Sequence, residues 1–286
     1  MRVLVVTAVA AERDAVTRGA AGPTTPAGGP AETVELAVPG FALHRAVTAG
    51  PFPLVVDALA AGVGPAAAAA GTATALTAAA VSGSPYDLVV SAGIGGGFTG
   101  AAAGAPVGSL VVSDAIVAAD LGAETPEGFL PVTELGFGTV EHRPPEALVR
   151  AVADATGARR GEVLTVSTVT GSAERARALA ELRPRALIEA MEGFGVAEAA
   201  AAHGVPVLEI RAVSNPVGPR DRAAWRIGDA LAALAGAFAA LPGALAAAAE
   251  GAQGPEREVL PHVNDLPEAR PAPAPAAPPP HARRTP

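Results

Sequence analysis

Short apolar runs alternate with Ala-rich helical segments along the first 250 residues. The β-branched run Arg2–Thr7 predicts a buried parallel strand, and Ala10–Arg18 predicts a helix directly after it. Pro65–Val81 predicts a longer helix with proline in its first turn, and Leu88–Ala92 predicts another buried strand. Because parallel strands are joined by crossover helices, this alternation predicts an α/β fold with a mostly parallel central sheet.

The stretch Ile188–Asp221 places polar residues where a core would be expected. Glu192 stands where a predicted helix, roughly Glu192–His203, begins, and the predicted strand Val207–Val213 leads into the polar turn Ser214-Asn215-Pro216. Open α/β sheets bind ligands at the carboxyl ends of their strands, so we expect this turn to form a wall of a site. The helix dipole alone also favours a carboxylate at a helix start, so both interpretations of Glu192 stay open.

Charge and composition exclude several classes of function. The net charge of −8 argues against a nucleic-acid partner, because neutralising phosphates needs a basic face. The chain has no Cys, which excludes disulfides and thiol catalysis, and it has no Lys, which excludes Schiff-base and Walker chemistry. The scattered histidines have no metal-binding spacing, so neither a metal nor a cofactor is expected. The early charges after Met1 argue against a signal peptide or membrane span, which predicts a soluble, cytoplasmic protein.

The glycine cluster after the strand at 88–92 admits two interpretations. Gly95–Gly100 formally matches the dinucleotide-binding pattern, which would predict NAD(P) binding and an oxidoreductase. That pattern needs a helix directly after it, whereas only a short Ala/Gly segment runs to Pro106. The sequence favours a tight turn whose backbone amides approach a ligand, with the Ser91 hydroxyl directed at the same ligand.

Carboxylates and other polar groups recur at the predicted strand ends. They are Glu12, Ser91, Glu192, Arg211, Ser214, Asn215 and Asp221. Such a set suits hydrolysis through an oxocarbenium-like transition state, in which one carboxylate orients water, another holds sugar hydroxyls and a donor stabilises the leaving group. In isolation, Glu12 is equally well explained as a surface charge on its helix.

Five motifs carry a resemblance to a known family. They are VAAERDAV at 9–16, AGVGPAAAA at 61–69, SAGIGGGF at 91–98, AMEGFGVA at 190–197 and IRAVSNPVG at 210–218. In this order they resemble the nucleoside phosphorylase/nucleosidase superfamily over about residues 1–245, and segment 119–138 is similar to the substrate loop of its futalosine hydrolase family. The resemblance implies a three-layer αβα sandwich with a mixed, mostly parallel central sheet, and cleavage of an N-ribosidic bond.

The resemblance also implies roles for individual residues. Glu12 would hold the attacking water, helped by Ser91 and Arg211, and its presence favours water over phosphate. Met191 and Glu192 would pack under the ribose and grip its hydroxyls. The base would lie against Val169–Gly171, where related nucleosidases often have a Phe that this chain lacks. The remaining residues predicted to bind substrate are Gly93, Val169, Thr170, Gly171 and Ser214.

Asn215 is the main departure from the superfamily pattern. The methylthioadenosine/adenosylhomocysteine nucleosidases have an Asp at this place, which protonates the purine N7. Asn cannot act as an acid, but its NH₂ can donate to N7 or O6 of a 6-oxopurine. The resemblance and this Asn together predict hydrolysis of futalosine to hypoxanthine and dehypoxanthine futalosine, in a route to menaquinone. Whether Asp221 supplies a proton stays open.

Two other functions remain as alternatives: a broader purine nucleosidase, acting on inosine or methylthioadenosine-type substrates, and a non-catalytic nucleoside-binding protein. Superfamily members usually assemble, so a homo-oligomer, a dimer or tetramer, is expected. The composition changes at Gly251, and the resemblance implies one nucleosidase domain over residues 1–250. The Pro/Ala-rich segment 251–286 is expected to be disordered, because it offers little apolar surface to bury.

Overall fold

The computed structural model describes residues 1–22, 33–48, 52–99 and 104–251. Residues 1–252 form one unit of the structure. The tail that was predicted to be disordered lies outside the described residues from position 252 onward. Gly100 of the glycine cluster also lies outside them.

The described residues form twelve strands and six α-helices. The strands are β1 (Arg2–Thr7), β2 (Val34–Val38), β3 (Phe41–Val47), β4 (Val55–Ala60), β5 (Leu88–Gly97), β6 (Leu110–Ala118), β7 (Gly122–Thr125), β8 (Gly128–Pro131), β9 (Glu141–His142), β10 (Arg159–Thr165), β11 (Ala186–Ala190) and β12 (Val207–Pro216). The helices are α1 (Ala10–Ala21), α2 (Pro65–Val81), α3 (Glu146–Thr156), α4 (Ala173–Leu182), α5 (Gly193–Ala202) and α6 (Ile227–Gly251), and a 3₁₀ turn spans Arg222–Ala224.

The central sheet has the strand order β11-β10-β6-β12-β5-β1-β4-β3-β2. Its middle strands β12, β5, β1 and β4 are mutually parallel, whereas β12 and β6 are antiparallel. The last residues of β5 also pair with β11 in antiparallel fashion. Strands β5, β12, β6, β10 and β11 therefore close into a ring, which brings residues distant in sequence to one sheet end.

Helices cover both faces of the sheet, as alternation along β1 illustrates. Val3 and Val5 pack with residues of α1, α3 and α6, whereas Leu4 and Val6 pack with residues of α2 and α5. Successive strand side chains point to opposite faces, so a continuous apolar run fits a strand buried on both sides. The predicted three-layer αβα sandwich with a mixed sheet is confirmed.

Two predicted turns are in fact strand. β5 was expected to end at Ala92, but it continues through the glycines to Gly97 and pairs with both β11 and β12. Glycine is needed at Gly95 because a Cβ there would lie 2.7 Å from the carbonyl oxygen of Glu189. Among the described residues, no helix lies between β5 and α3, so the dinucleotide interpretation lacks its required helix. Residues 214–216, the second predicted turn, belong to β12.

The sequence predicts a long Ala/Leu helix over Trp225–Glu250 that is interrupted at Pro242-Gly243, whereas helix α6 is uninterrupted. Pro242 lies inside the helix, and its neighbours Leu241 and Ala244 are buried against the sheet layer. Proline removes one backbone hydrogen bond, a loss that packing on both sides of it can offset. By length and composition, α6 meets the criterion for a membrane-spanning helix, which core helices of soluble proteins also meet. Its Leu234 and Phe238 are fully buried in the protein core.

Candidate active site

A cleft of about 310 Å³ opens where β1, β5, β11 and β12 end. Its lining includes seven of the residues predicted for the site, which are Glu12, Val169, Thr170, Met191, Glu192, Ser214 and Asn215. They come from positions up to 203 residues apart, on α1, the segment before α4, the β11–α5 junction and β12. The ring of strands therefore assembles the groups that the sequence could only place at separate strand ends.

Glu12 is held at the inner wall of the cleft by backbone donors. The Ala8 and Val9 amides donate to its Oε2 at 3.0 and 3.2 Å, and the Ile94 amide donates to its Oε1 at 2.9 Å. Glu12 lies in the first turn of α1, where a glutamate can reach back to the amide before the helix. Only 4 % of the residue is exposed, so it is not a surface helix charge.

Burial raises the pKa of the Glu12 carboxyl, and the nearby charge of Arg211 opposes part of that rise. The negative charge of Glu192 adds to the rise, while the Ile94 and Val9 amides favour the ionised form. A carboxylate with a raised pKa is a better proton acceptor from water than an exposed one. The position and chemistry of Glu12 therefore suit a general base.

Arg211 lies beneath the cleft and joins two carboxylates and a hydroxyl. Its Nε donates to Glu209 Oε1 at 2.9 Å and its Nη1 donates to Glu192 Oε2 at 3.1 Å. Its Nη2 donates to the Ser91 hydroxyl at 3.0 Å. Although burial acts to lower it, the charges of Glu209, Glu192 and Glu12 raise the pKa of Arg211 overall, so the guanidinium stays charged.

Ser91 and Arg211 therefore act beneath the cleft and do not line it. The predicted direct contact of the Ser91 hydroxyl with a ligand is wrong, because that hydroxyl faces Arg211 and Glu209. The role implied for Arg211, to help Glu12 hold the water, stays a prediction; in this structure Arg211 pairs with Glu192, and its charge acts on the pKa of Glu12.

Glu192 ends the strand-to-helix connection and caps α5. Its Oε1 accepts from the Gly64 amide at 3.2 Å, and its Oε2 accepts from the Met191 amide at 3.3 Å as well as from Arg211. Met191 lies beside it on the cleft wall. A carboxylate fixed by a cation and two amides can keep its free lone pairs toward a ligand, as gripping ribose hydroxyls requires.

Asn215 and Ser214 form the opposite wall. The Ser214 hydroxyl donates to Asn215 Oδ1 at 2.8 Å, and the Asn215 Nδ2 donates to the Pro216 carbonyl at 3.0 Å. A register shift between Val213 and Asn215 interrupts the pairing with β5 at this point. Such irregularities redirect side chains next to sites, and here both polar groups line the cleft.

Two predicted residues lie away from the cleft. The Asp221 Oδ1 accepts from the Ala223 amide at 3.1 Å and caps the 3₁₀ turn. Asp221 does not line the cleft, so this arrangement gives no support to a catalytic role for it, which stays a prediction. Gly171 also does not line it and is exposed on the segment before α4, because only Val169 and Thr170 of that segment face inward.

Three residues of the site were missed by the sequence analysis: Glu189, Glu209 and Trp225. Glu189 and Trp225 line the cleft, and Glu209 is fully buried beneath it with its Oε2 unpaired among the described residues. The available signal was a charged residue inside an apolar strand, LIEA for Glu189 and VLEIRAV for Glu209. Burial raises the pKa of the Glu209 carboxyl, against the influence of Arg211.

Gly93 carries no side chain into the cleft, yet the geometry requires glycine there. A Cβ at this position would lie 2.6 Å from Arg211 Nη1 and 2.7 Å from Glu12 Oε1. Gly93→Ala is expected to displace these two groups and to lower kcat at least about tenfold, since misplacing catalytic groups by about 1 Å can cost about 10²-fold in rate. Steady-state kinetics test this, with Gly228→Ala as the matched control because nothing lies within 4 Å of a Cβ there. Equal activity in both variants would contradict it.

Comparison with known proteins places this cleft in a family. A model of the phosphorylase superfamily matches residues 5–248. Over 241 residues the chain is 66 % identical to the futalosine hydrolase of Streptomyces coelicolor, covering 84 % of this chain and 95 % of that relative. The chain belongs to the futalosine hydrolases of the phosphorylase superfamily. The resemblance seen in the five sequence motifs is thereby confirmed, and the chain is an N-glycosyl hydrolase.

Solved structures share the fold of this futalosine hydrolase family member at low identity. A methylthioadenosine/adenosylhomocysteine nucleosidase from Colwellia psychrerythraea in complex with adenine has a TM-score of 0.68 at 21 % identity, covering 86 % of this chain and 96 % of that one. The native futalosine hydrolase of Helicobacter pylori has a TM-score of 0.63 at 16 % identity, covering 88 % and 98 %. These likenesses support the αβα architecture.

Proposed function

We propose that this chain hydrolyses the N-ribosidic bond of futalosine, releasing hypoxanthine and dehypoxanthine futalosine. The observation that carries the proposal is the 66 % identity to a futalosine hydrolase along almost that relative's whole length. The cleft supports it, because a buried Glu12 with a raised pKa and a fixed Glu192 are the two carboxylates that such a hydrolysis needs.

The proposed mechanism assigns the two carboxylates different tasks. Glu12 orients the attacking water and accepts a proton from it as the hydroxyl adds to C1′ of the ribose. The C1′–N9 bond breaks, and its electron pair passes to the base. Glu192 holds the ribose hydroxyls, and its negative charge stabilises the positive sugar of the transition state. Arg211 fixes the orientation of Glu192 from below.

Asn215 is proposed to stabilise the departing base. Its NH₂ donates to N7 or O6 of the purine, and a hypoxanthine anion spreads its charge onto O6. An amide cannot supply a proton, and Asp221 lies away from the cleft. The leaving group is therefore stabilised by hydrogen bonding and delocalisation, a chemistry that suits hypoxanthine better than adenine.

The central test measures release of the base from three nucleosides side by side: hypoxanthine from futalosine and inosine, and adenine from methylthioadenosine. Futalosine is expected to give the highest kcat/KM, without acceleration by phosphate. Ribose 1-phosphate products would make the chain a phosphorylase, and saturable binding without release would make it a nucleoside-binding protein. A higher kcat/KM for inosine or methylthioadenosine would favour the broader purine nucleosidase.

Asn215→Asp is expected to reverse part of the base preference. An ionised carboxylate beside O6 is repulsive, and a buried polar mismatch costs roughly 1–3 kcal/mol, so the kcat/KM ratio of futalosine to its 6-amino analogue should fall about tenfold or more. Asn215→Ala is the matched control, because it removes the donor without adding a charge. An unchanged ratio in Asn215→Asp would remove Asn215 from the base site.

We also propose, on the resemblance alone, that the reaction belongs to the futalosine route to menaquinone and that the enzyme acts in the cytoplasm as a homo-oligomer. Superfamily members usually assemble as dimers or larger, which supports the last point. Light scattering at several protein concentrations tests it, and a monomer at all of them would contradict it.

A further inference from the structure

Two polar side chains flank a glycine on the floor of the cleft. Gly96 on β5 is the register partner of Glu189 on β11 and of Asn215 on β12. Directly paired residues of neighbouring strands point to the same face of a sheet. Both Glu189 and Asn215 line the cleft. A Cβ at Gly96 would lie 3.0 Å from Cγ2 of Val217, which also lines the cleft, and 3.4 Å from Asn215 Nδ2, so a side chain at this position would crowd the Asn215 amide.

Glu189 is a buried carboxylate without an ion pair among the described residues. Its Oε1 accepts from the Thr170 amide at 2.8 Å, its Oε2 accepts from the Thr170 hydroxyl, and 4 % of the residue is exposed. Burial raises the pKa of this carboxyl, and the two bonds from Thr170 favour its ionised form. A buried carboxylate that faces a cleft and is oriented only by hydrogen bonds is a candidate for ligand recognition.

The two walls offer opposite hydrogen-bonding character. Asn215 can present an NH₂ donor, and an ionised Glu189 can only accept. A 6-oxopurine matches this pair, because N7 and O6 accept whereas N1–H donates. A 6-aminopurine has an acceptor at N1, which would face the carboxylate without a hydrogen between them.

We propose that Glu189 is a specificity-determining residue that accepts a hydrogen bond from N1–H of a 6-oxopurine base, opposite the donor of Asn215. The proposal rests on the proposed function and deepens it, since it names the base class that the cleft selects. Thr170 is the positioning residue, because its amide and hydroxyl fix both carboxylate oxygens.

Glu189→Gln tests the base-reading role directly. Glutamine keeps the size and one acceptor, but replaces the other acceptor with a donor. The kcat/KM ratio of futalosine to its 6-amino analogue is expected to fall at least about tenfold, because a site built to bond a donor discriminates strongly against its absence. Thr170→Val removes one positioning bond and should lower kcat/KM for futalosine more than for its 6-amino analogue, in the same direction as Glu189→Gln and by a smaller factor. Glu250→Gln, exposed at the end of α6, is the control for the chemical change itself.

Binding of the free bases can be measured without turnover, and on the unmodified protein, so the result does not depend on whether a variant folds. Calorimetry on the unmodified protein should show hypoxanthine binding at least about tenfold more tightly than adenine. Equal affinity for the two bases, or an unchanged kinetic ratio in Glu189→Gln, would overturn the role of Glu189. Absence of hypoxanthine release from every nucleoside would instead overturn the proposed function, while the two affinities would still decide the base class.

Discussion

Glu12→Gln is expected to lower kcat for hypoxanthine release by a factor of about 10² or more, the range of general-base effects. Glutamine retains the shape and one acceptor, but it cannot take a proton from water. In the unmodified protein, the amides of Ala8, Val9 and Ile94 donate to both carboxylate oxygens of Glu12. The variant therefore also places an NH₂ donor against an amide donor. KM should change less than kcat, since Glu12 acts on the water.

Steady-state kinetics on futalosine measure this loss. Glu146→Gln is the matched control, because Glu146 is exposed at the start of α3 in a surface pair with Arg160. A kcat near that of the unmodified protein in Glu12→Gln would mean that Glu12 only orders the loop before α1, and the hydrolytic mechanism would need another base.

The same residue sets the expected pH profile. Glu12 must be ionised to accept a proton, and burial raises its pKa. Activity should therefore fall as the pH drops through that raised pKa, with the acid limb above the range of an ordinary glutamate. The limb should disappear from the residual activity of Glu12→Gln. A limb that persists unchanged in the variant would assign it to another group.

Arg211→Met is expected to destabilise the fold by about 3–5 kcal/mol, because removing one partner of a buried ion pair leaves uncompensated charge behind. Methionine fills much of the arginine volume, so most of the loss is electrostatic. The Glu209 and Glu192 carboxylates would lose their guanidinium contacts at 2.9 and 3.1 Å. Urea unfolding measures the change, with the m-value as a check that the transition stays two-state.

The loss in Arg211→Met should depend on pH with a defined sign. Burial raises the folded-state pKa of Glu12 and Glu209, and Arg211 opposes that rise. Without Arg211, the folded-state pKa of these carboxyls lies further above their unfolded-state pKa. Between those two pKa values the folded state binds more protons than the unfolded chain, so the free energy of unfolding falls as the pH rises through that window. The deficit should therefore be smaller at mildly acidic pH than at neutral pH.

Arg160→Met is the control for this experiment. It breaks the Arg160–Glu146 pair, whose side chains are 35 % and 65 % exposed, and exposed pairs contribute about 0–1 kcal/mol. A similar small loss in Arg211→Met would show that the buried cluster is not held by this guanidinium, and a deficit independent of pH would argue against the assigned charges.

Local sequence patterns predicted the secondary structure well where an element depends on its own residues. β1 and α2 have the predicted bounds, since a β-branched run and an Ala-rich segment opened by proline specify strand and helix within a few residues. The same holds for α4, because the sequence predicts a helix over Ser172–Leu182 and Ser172 is the N-cap, accepting from the Arg175 amide. Predictions were poorest where a segment's state depends on a distant partner.

The ends of β5 and β12 show why. Glycines and an Asn-Pro pair are turn signals by themselves, yet both segments are strands here because β11 and β5 supply hydrogen-bonding partners from distant parts of the chain. The pattern of β5 contains no information about β11, so only the ring of strands could decide it.

The predictions for the site residues divide in the same way. The sequence by itself determined the α/β fold class, the motifs and the identities of Glu12, Glu192 and Asn215, because each lies in a short stretch whose local role can be inferred. Only the tertiary structure decided that Asp221 lies outside, that Ser91 and Arg211 support the cleft from below, and that Glu189 and Asn215 both pair with Gly96 and line the cleft. The physical reason is that hydrogen bonding, burial and pKa depend on neighbours in space, and the order of strands in the sheet sets those neighbours.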